Sequence, residues 1–269
     1  MRLPFNGRYL VLGVLIYIIV LILNFPAERA YAYWKNSDKA SRSLSLGGMS
    51  GSVWSGRADF GNMQGQSLEN IEWHLRPWSL LLGQVGLSWS VSLANPGGVK
   101  GHGTGITSMG LDGSIDFSSL EARIPASVTA EMAGMAALKP SGTLILDLQD
   151  VEWNGQNLES ATGKVVWSSA GVSMIQPFLF GDLSMVLETE GDQIKGVLSD
   201  SGGPLSIDGV LILKANNTYQ LNGSVSARND NNLQNALRTM GRPGPDGKVK
   251  INYSGNLASL GLVPRKSRK

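Results

Sequence analysis

The sequence predicts a mainly β protein: an N-terminal transmembrane helix, then an antiparallel, twisted or curved β-sheet domain with one or two short helices. Three observations predict it. A long apolar run, whose clear interruptions are Gly13 and Asn24, lies close to the N-terminus, and no other like it follows. From Leu44 onward short segments alternate apolar and polar residues with period two, the pattern of a half-buried antiparallel strand. Finally, 34 glycines are scattered without period between those segments, as in a chain with many tight turns.

The apolar run Tyr9 to Phe25 reads YLVLGVLIYIIVLILNF, 17 residues, at the short end of the roughly 17–25 that cross a bilayer as a helix. Pro26 stops it. Arg2 and Arg8 precede it while Glu28 and Arg29 cancel after it, so the positive-inside bias places the N-terminus in the cytoplasm. The expected division is a cytoplasmic 1–8, a transmembrane anchor 9–25, a linker 26–43, an exported β-rich domain 44–257 and a basic tail 258–269. A cleaved signal peptide is the competing reading, because Ala30-Tyr31-Ala32 has a small-x-small pattern. Against it, the apolar run exceeds the usual 7–15 residues or so and a charged pair separates it from that site. Either way the domain is exported.

Within the domain, strands are expected at Ser52–Phe60, Leu68–Leu75, Gly86–Leu93, Thr143–Val151, Gly163–Ser168, Ser184–Thr189, Gln193–Leu198, Leu205–Leu213, Tyr219–Ala227 and Val249–Ser254. Gly86–Leu93 is the cleanest, with Leu87, Trp89, Val91 and Leu93 on one face and serines on the other. Turn residues fill the gaps, among them Asn95-Pro96-Gly97-Gly98, Asn154-Gly155 and Ser201-Gly202-Gly203-Pro204. Helix is expected in three places. Pro77 opens a short turn within Arg76–Leu82, Ser127–Leu138 is helical but weakened by Gly134, and Asn231–Met240 places Leu233, Leu237 and Met240 on one face before Gly241 and Pro243. Gly65-Gln66-Ser67-Leu68-Glu69 echoes Gly155-Gln156-Asn157-Leu158-Glu159, which suggests two similar β-meander units.

Composition excludes several functions. Setting aside Arg2, Arg8, Arg265, Lys266, Arg268 and Lys269 leaves 17 basic residues against 21 acidic ones, with no basic stripe for nucleic acid. There is no cysteine, hence no disulfide, thiolate metal site or cysteine nucleophile. His74 and His102 are the two imidazoles. Alternation with Ile71, Trp73 and Leu75 turns His74 away from the core, and His102 falls in Gly101-His102-Gly103-Thr104-Gly105, read as a mobile loop. Neither has metal-site or acid–base spacing. Asp147, Asp150, Glu152, Asp182, Glu188, Glu190 and Asp192 belong to solvated faces and turns, and no pair stands out. We therefore assign no catalytic, cofactor-binding or metal residue and expect no enzyme. The seven tryptophans and nine methionines read as core and sheet filler.

Leu46-Gly47-Gly48-Met49-Ser50-Gly51-Ser52-Val53-Trp54-Ser55-Gly56 resembles the G-T-V-W-x-G motif of the type II secretion system protein N family (general secretion pathway protein N). Ser52 stands where threonine is commoner. Ile71-Glu72-Trp73-His74-Leu75-Arg76-Pro77 with Leu80-Leu81-Leu82-Gly83 is similar to its W-x-L-x-P segment, and Asp246–Gly255 to its closing strand. The resemblance implies a single-pass inner-membrane protein whose periplasmic β domain assists assembly or bridging of the apparatus that exports folded proteins. The implied partners are other inner-membrane or periplasmic components of that apparatus and the outer-membrane secretin. A rival reading, from another class, is a membrane-anchored β trough that binds or passes lipid; it requires an open, apolar, ligand-sized inner face.

Overall fold

The computed structural model describes residues 7–37, 44–63, 65–94, 101–132, 134–173 and 176–257. The expected turn at 95–98 and the basic tail lie outside them. In chain order the elements are α1 (Gly7–Leu23), α2 (Ala27–Ser37), β1 (Leu44–Gly51), β2 (Ser55–Met63), β3 (Gln66–Arg76), α3 (Pro77–Leu80), β4 (Gln84–Leu93), β5 (Gly101–Gly110), β6 (Ile115–Pro125), α4 (Ala126–Met132), β7 (Pro140–Trp153), β8 (Leu158–Ser173), β9 (Pro177–Glu190), β10 (Gln193–Asp200), β11 (Leu205–Lys214), β12 (Thr218–Ala227), α5 (Asn231–Met240) and β13 (Val249–Asn256). The strands form one 13-stranded antiparallel meander in which each strand pairs with its neighbours in sequence. The fold is thus mainly β with few, short helices.

The helices follow local rules. Asp230 caps α5 by accepting from Leu233 N at 2.9 Å, and Leu233 and Leu237 are buried as their spacing predicts. Gly134, at φ 70°, splits the expected Ser127–Leu138 helix into α4 and a 3-10 turn at Ala136–Leu138. The expected linker contains α2. No helix among the described residues is long and apolar enough to cross a membrane. α1 has 17 residues and rises about 26 Å, against roughly 30 Å of hydrocarbon.

Register explains the glycine excess. Residues paired across an antiparallel ladder share a face. The row beginning at Trp73 runs through Trp89, Gly105, Leu120, Leu148, Gly163, Leu187, Gly196, Leu211 and Leu221 to Tyr253, all apolar or glycine. The sheet therefore has one apolar face, and glycines sit in that face as well as in turns. A Cβ on Gly56 would lie 2.5 Å from Trp73 Cζ2, one on Gly105 2.7 Å from Trp89 Cζ2, and one on Gly255 2.9 Å from the Tyr219 hydroxyl oxygen. Each ring lies over the glycine of the adjacent strand and fills the space its missing side chain leaves. This corrects the sequence reading of Gly101–Gly105: the segment is no loop but the first half of β5, with Leu93 and Trp89 of β4 covering Gly101 and Gly105. β6 likewise had not been expected.

The sheet curls toward its apolar face. Asn217, after β11, donates from Nδ2 to Gln156 O (2.8 Å) and Asn157 Oδ1 (2.9 Å) in the β7–β8 turn. Those turns lie four strand spacings apart, about 19 Å in a flat sheet, so contact requires curvature. Ala161, Ile194 and Leu213 form a buried cluster at that end. At the opposite rim α5 packs Leu233 and Leu237 on Leu205, Val225 and Val249. Towards the N-terminal half, Gln66 of β3 reaches Glu131 of α4 at 3.1 Å. The Ser-Gly pairs that precede the two halves of the suggested repeat, Ser50-Gly51 and Ser141-Gly142, play different parts: Gly51 ends β1, whereas Gly142 is a bulge inside β7.

Candidate functional site

Among the described residues the titratable side chains of the strands are spread along the polar face. His74 and His102 are both exposed there, opposite Ser88 and Ser92 of β4, hence about 13 Å apart along the strand direction. His102, Glu121, Arg123 and Asp147 line a shallow depression of about 470 Å³, with Glu121 and Asp147 in direct register and both exposed. No group of three His, Asp or Glu able to hold a metal occurs among the described residues. Asp147, Asp150, Glu152, Asp182, Glu188, Glu190 and Asp192 are all exposed, as alternation predicts. One carboxyl is strongly perturbed: Asp200 is held at about 2, first by its hydrogen bond from Arg228, against the upward push of burial, with help from the Gly202 and Ile207 amides. It locks β10, β11 and β12 together at one rim.

The more telling constellation joins α1 to the sheet. An α-helix leaves its last carbonyls short of partners, and in α1 two of them, those of Val20 and Ile22, gain side-chain donors. Asn24 Nδ2 donates to Val20 O at 2.8 Å, and Trp54 Nε1 donates to Ile22 O at 2.9 Å. Val53 N donates to Phe25 O at 3.0 Å. The Val53–Trp54 turn is held in its turn by β3: Leu75 N donates to Trp54 O (2.7 Å) and Trp73 Nε1 to Val53 O (3.1 Å). Gly51, at φ 89°, makes the sharp exit from β1. Leu21, Ile22, Phe25, Val53 and Trp54 surround an apolar hollow of about 370 Å³ at this junction. Trp54, which the sequence suggests as core filler, therefore joins Val53 in a clamp that fixes the helix to one rim of the sheet. Its place between two glycines, directly after a strand, was the available signal.

The two edges of the open sheet differ. Edge strands expose unpaired backbone groups. Along β1 the Tyr31 hydroxyl, from α2, donates to Leu44 O (3.1 Å) and accepts from Leu46 N (3.0 Å). Pro26 bridges Ser52 at the top of the same edge. β13 pairs with β12 on one side, and no strand among the described residues lies on its other side. Lys250, Asn252 and Ser254 are exposed along it. Among the described residues, then, the β1 edge is covered in part by Tyr31 and Pro26, and the β13 edge pairs with no further strand.

The sequence itself matches a known family. A family model described as type II secretion system (T2SS), protein N, matches residues 42–252, a span running from just before β1 into β13. Over 220 residues the chain is 25% identical to the type II secretion system protein N of Vibrio cholerae serotype O1 (strain ATCC 39315 / El Tor Inaba N16961), covering 80% of this chain and 85% of that protein. It is 22% identical over 220 residues to the type II secretion system protein N of Aeromonas hydrophila, with the same coverage. No solved structure matches the chain. With the match taking in twelve strands and half of the thirteenth, the chain belongs to the type II secretion system protein N family.

Proposed function

We propose that this protein is a non-enzymatic component of a type II secretion apparatus, anchored in the bacterial inner membrane by α1 with its sheet in the periplasm. It assists assembly or bridging of the apparatus by pairing β13 with a strand of another component. The match over residues 42–252 is the observation that carries this reading, and it favours the secretion role over a lipid trough. The anchor is supported by α1 itself, where Val11, Leu12, Val14 to Ile18 and Val20 to Leu23 are large apolar side chains about half or more exposed. The roughly 4 Å shortfall from the hydrocarbon thickness is of a size bilayers absorb by local thinning, at fractions of a kcal/mol per Å. Retention of the helix is supported by Tyr31: cleavage after Ala32 would remove the hydroxyl that covers the β1 edge. The partners proposed are the other inner-membrane and periplasmic components, with the outer-membrane secretin as a further one.

Photo-crosslinking of the full chain in secreting cells tests this. A crosslinking residue at Asn252 is expected to yield adducts with secretion components, and one at Ser45 to yield none. Adducts from both edges alike, or none containing a secretion component, refute edge pairing. Leu15→Arg places a charge mid-helix at a cost of at least about 2.5 kcal/mol and is expected to remove the protein from the membrane fraction. Unchanged fractionation refutes the anchor.

A further inference from the structure

From the way α1 is clamped, we infer that the loops beside it form a membrane-dipping rim, so that the sheet is held against the bilayer surface by side chains as well as by the helix. The inference rests on α1 lying in the membrane. Antiparallel order puts the ends of β1, β3 and β5 on one rim, and Trp54 and Val53 fix the C-terminal end of α1 to that rim. The next two loops along it carry, among the described residues, the most exposed large apolar side chains of the sheet domain: Trp78 at 80%, Leu81 at 78%, Leu82 at 79% and Leu111 at 88%. Residues 77–83 read PWSLLLG and carry no charge.

Farther along the same rim the character changes. The turns after β7, β9 and β11 read Asn154-Gly155-Gln156-Asn157, Gly191-Asp192 and Ala215-Asn216-Asn217, with no large apolar residue. Apolar exposure is thus confined to the stretch of rim beside the helix. Isolated exposed leucines need no explanation, but a contiguous patch next to an apolar helix does. A tryptophan and three leucines set at the end of a spanning helix match the composition of the headgroup–acyl boundary, where tryptophan concentrates, at the shallow depth interfacial segments reach, about 5–10 Å. The occupant of this rim is therefore lipid, and the sheet stands with its α1 end down and its α5 end away from the membrane.

The absence of cysteine from the chain permits a direct test. Single-cysteine variants Val14→Cys, Leu81→Cys, Leu111→Cys and Gln156→Cys of the full chain are labelled with an environment-sensitive fluorophore. Each is reconstituted in phosphatidylethanolamine–phosphatidylglycerol vesicles containing lipids spin-labelled at shallow or deep positions. We expect quenching at position 14 by the deep label, blue-shifted emission with quenching at 81 and 111 by the shallow label, and water-like emission at 156. Quenching at 14 with water-like emission at 81 and 111 overturns the rim while the anchor stands, and hands the patch to a protein partner. Quenching at 156 equal to that at 81 also overturns it, because the rim would then not be graded. Water-like emission at 14 overturns the anchor, and the rim with it.

Discussion

Alanine at Gly105 is the sharpest test of the idea that strand glycines here are sockets for rings. The added Cβ would lie 2.7 Å from Trp89 Cζ2, 2.9 Å from Cε2 and 3.1 Å from Ser119 O, the first two closer than real Cβ contacts come. The ring is not free to retreat, because Trp89 Nε1 donates to Thr107 Oγ1 at 2.8 Å on the same strand as the glycine. Either that bond breaks, costing about 1 kcal/mol, or strand and ring shift at the roughly 1–3 kcal/mol usual for overpacking. A loss of about 1–3 kcal/mol is expected. Gly103, two residues away on the same face, provides the contrast. Its Cβ would meet Trp89 Cζ3 at 3.5 Å and Ala122 Cβ at 3.8 Å, ordinary contacts, so Gly103→Ala should be neutral or gain up to about 1 kcal/mol from lower chain entropy in the unfolded state. The assay is urea unfolding of the full chain in detergent, reading the midpoint at constant slope. The cycle is completed with Trp89→Leu, in whose background the Gly105→Ala penalty should vanish. Equal costs in both backgrounds, or at both glycines, would refute the socket argument.

Three more predictions use other contacts. Asp200→Asn should cost roughly 2 kcal/mol at pH 7, the worth of lowering its carboxyl from 3.8 to about 2. Because the folded value is depressed, that stability is nearly complete above about pH 4 and is lost as pH falls through about 2, so variant and parent should converge in acid melts; a gap still near its neutral-pH size at pH 2 contradicts it. Trp54→Phe removes the donor to Ile22 O but keeps a ring, and should loosen the helix–sheet junction by about 0.5–1.5 kcal/mol. It should be visible as faster amide exchange at Val53 with little change at β11 and β12; uniform protection would argue against a clamp. Tyr31→Phe leaves Leu44 O and Leu46 N without the hydroxyl and should speed Leu46 exchange up to about tenfold, an effect that fails to appear if the edge is covered by other means.

What the sequence determined by itself is whatever is encoded within one segment. Period two across Leu87, Trp89, Val91 and Leu93 marks a strand and its inward face without knowledge of any partner. Asp230 and Gly241 bracket α5 because a cap is a bond between near neighbours. The apolar α1, and the Val-Trp motif with the family it resembles, are legible for the same reason. Tertiary structure decided everything that depends on a neighbour distant in sequence. Gly101 to Gly105 read as a loop because glycine carries no pattern of its own, and only the rings and leucine side chains of β4 lying over it make β5 a strand. The role of Trp54 depends on a carbonyl 32 residues earlier, and the covering of β1 on a hydroxyl whose own helix had been read as linker. Curvature likewise arises between strands, as when Asn217 meets a turn some 60 residues before it. A segment's own sequence specifies which face it buries; what it buries that face against is settled only when the whole sheet has paired and curled.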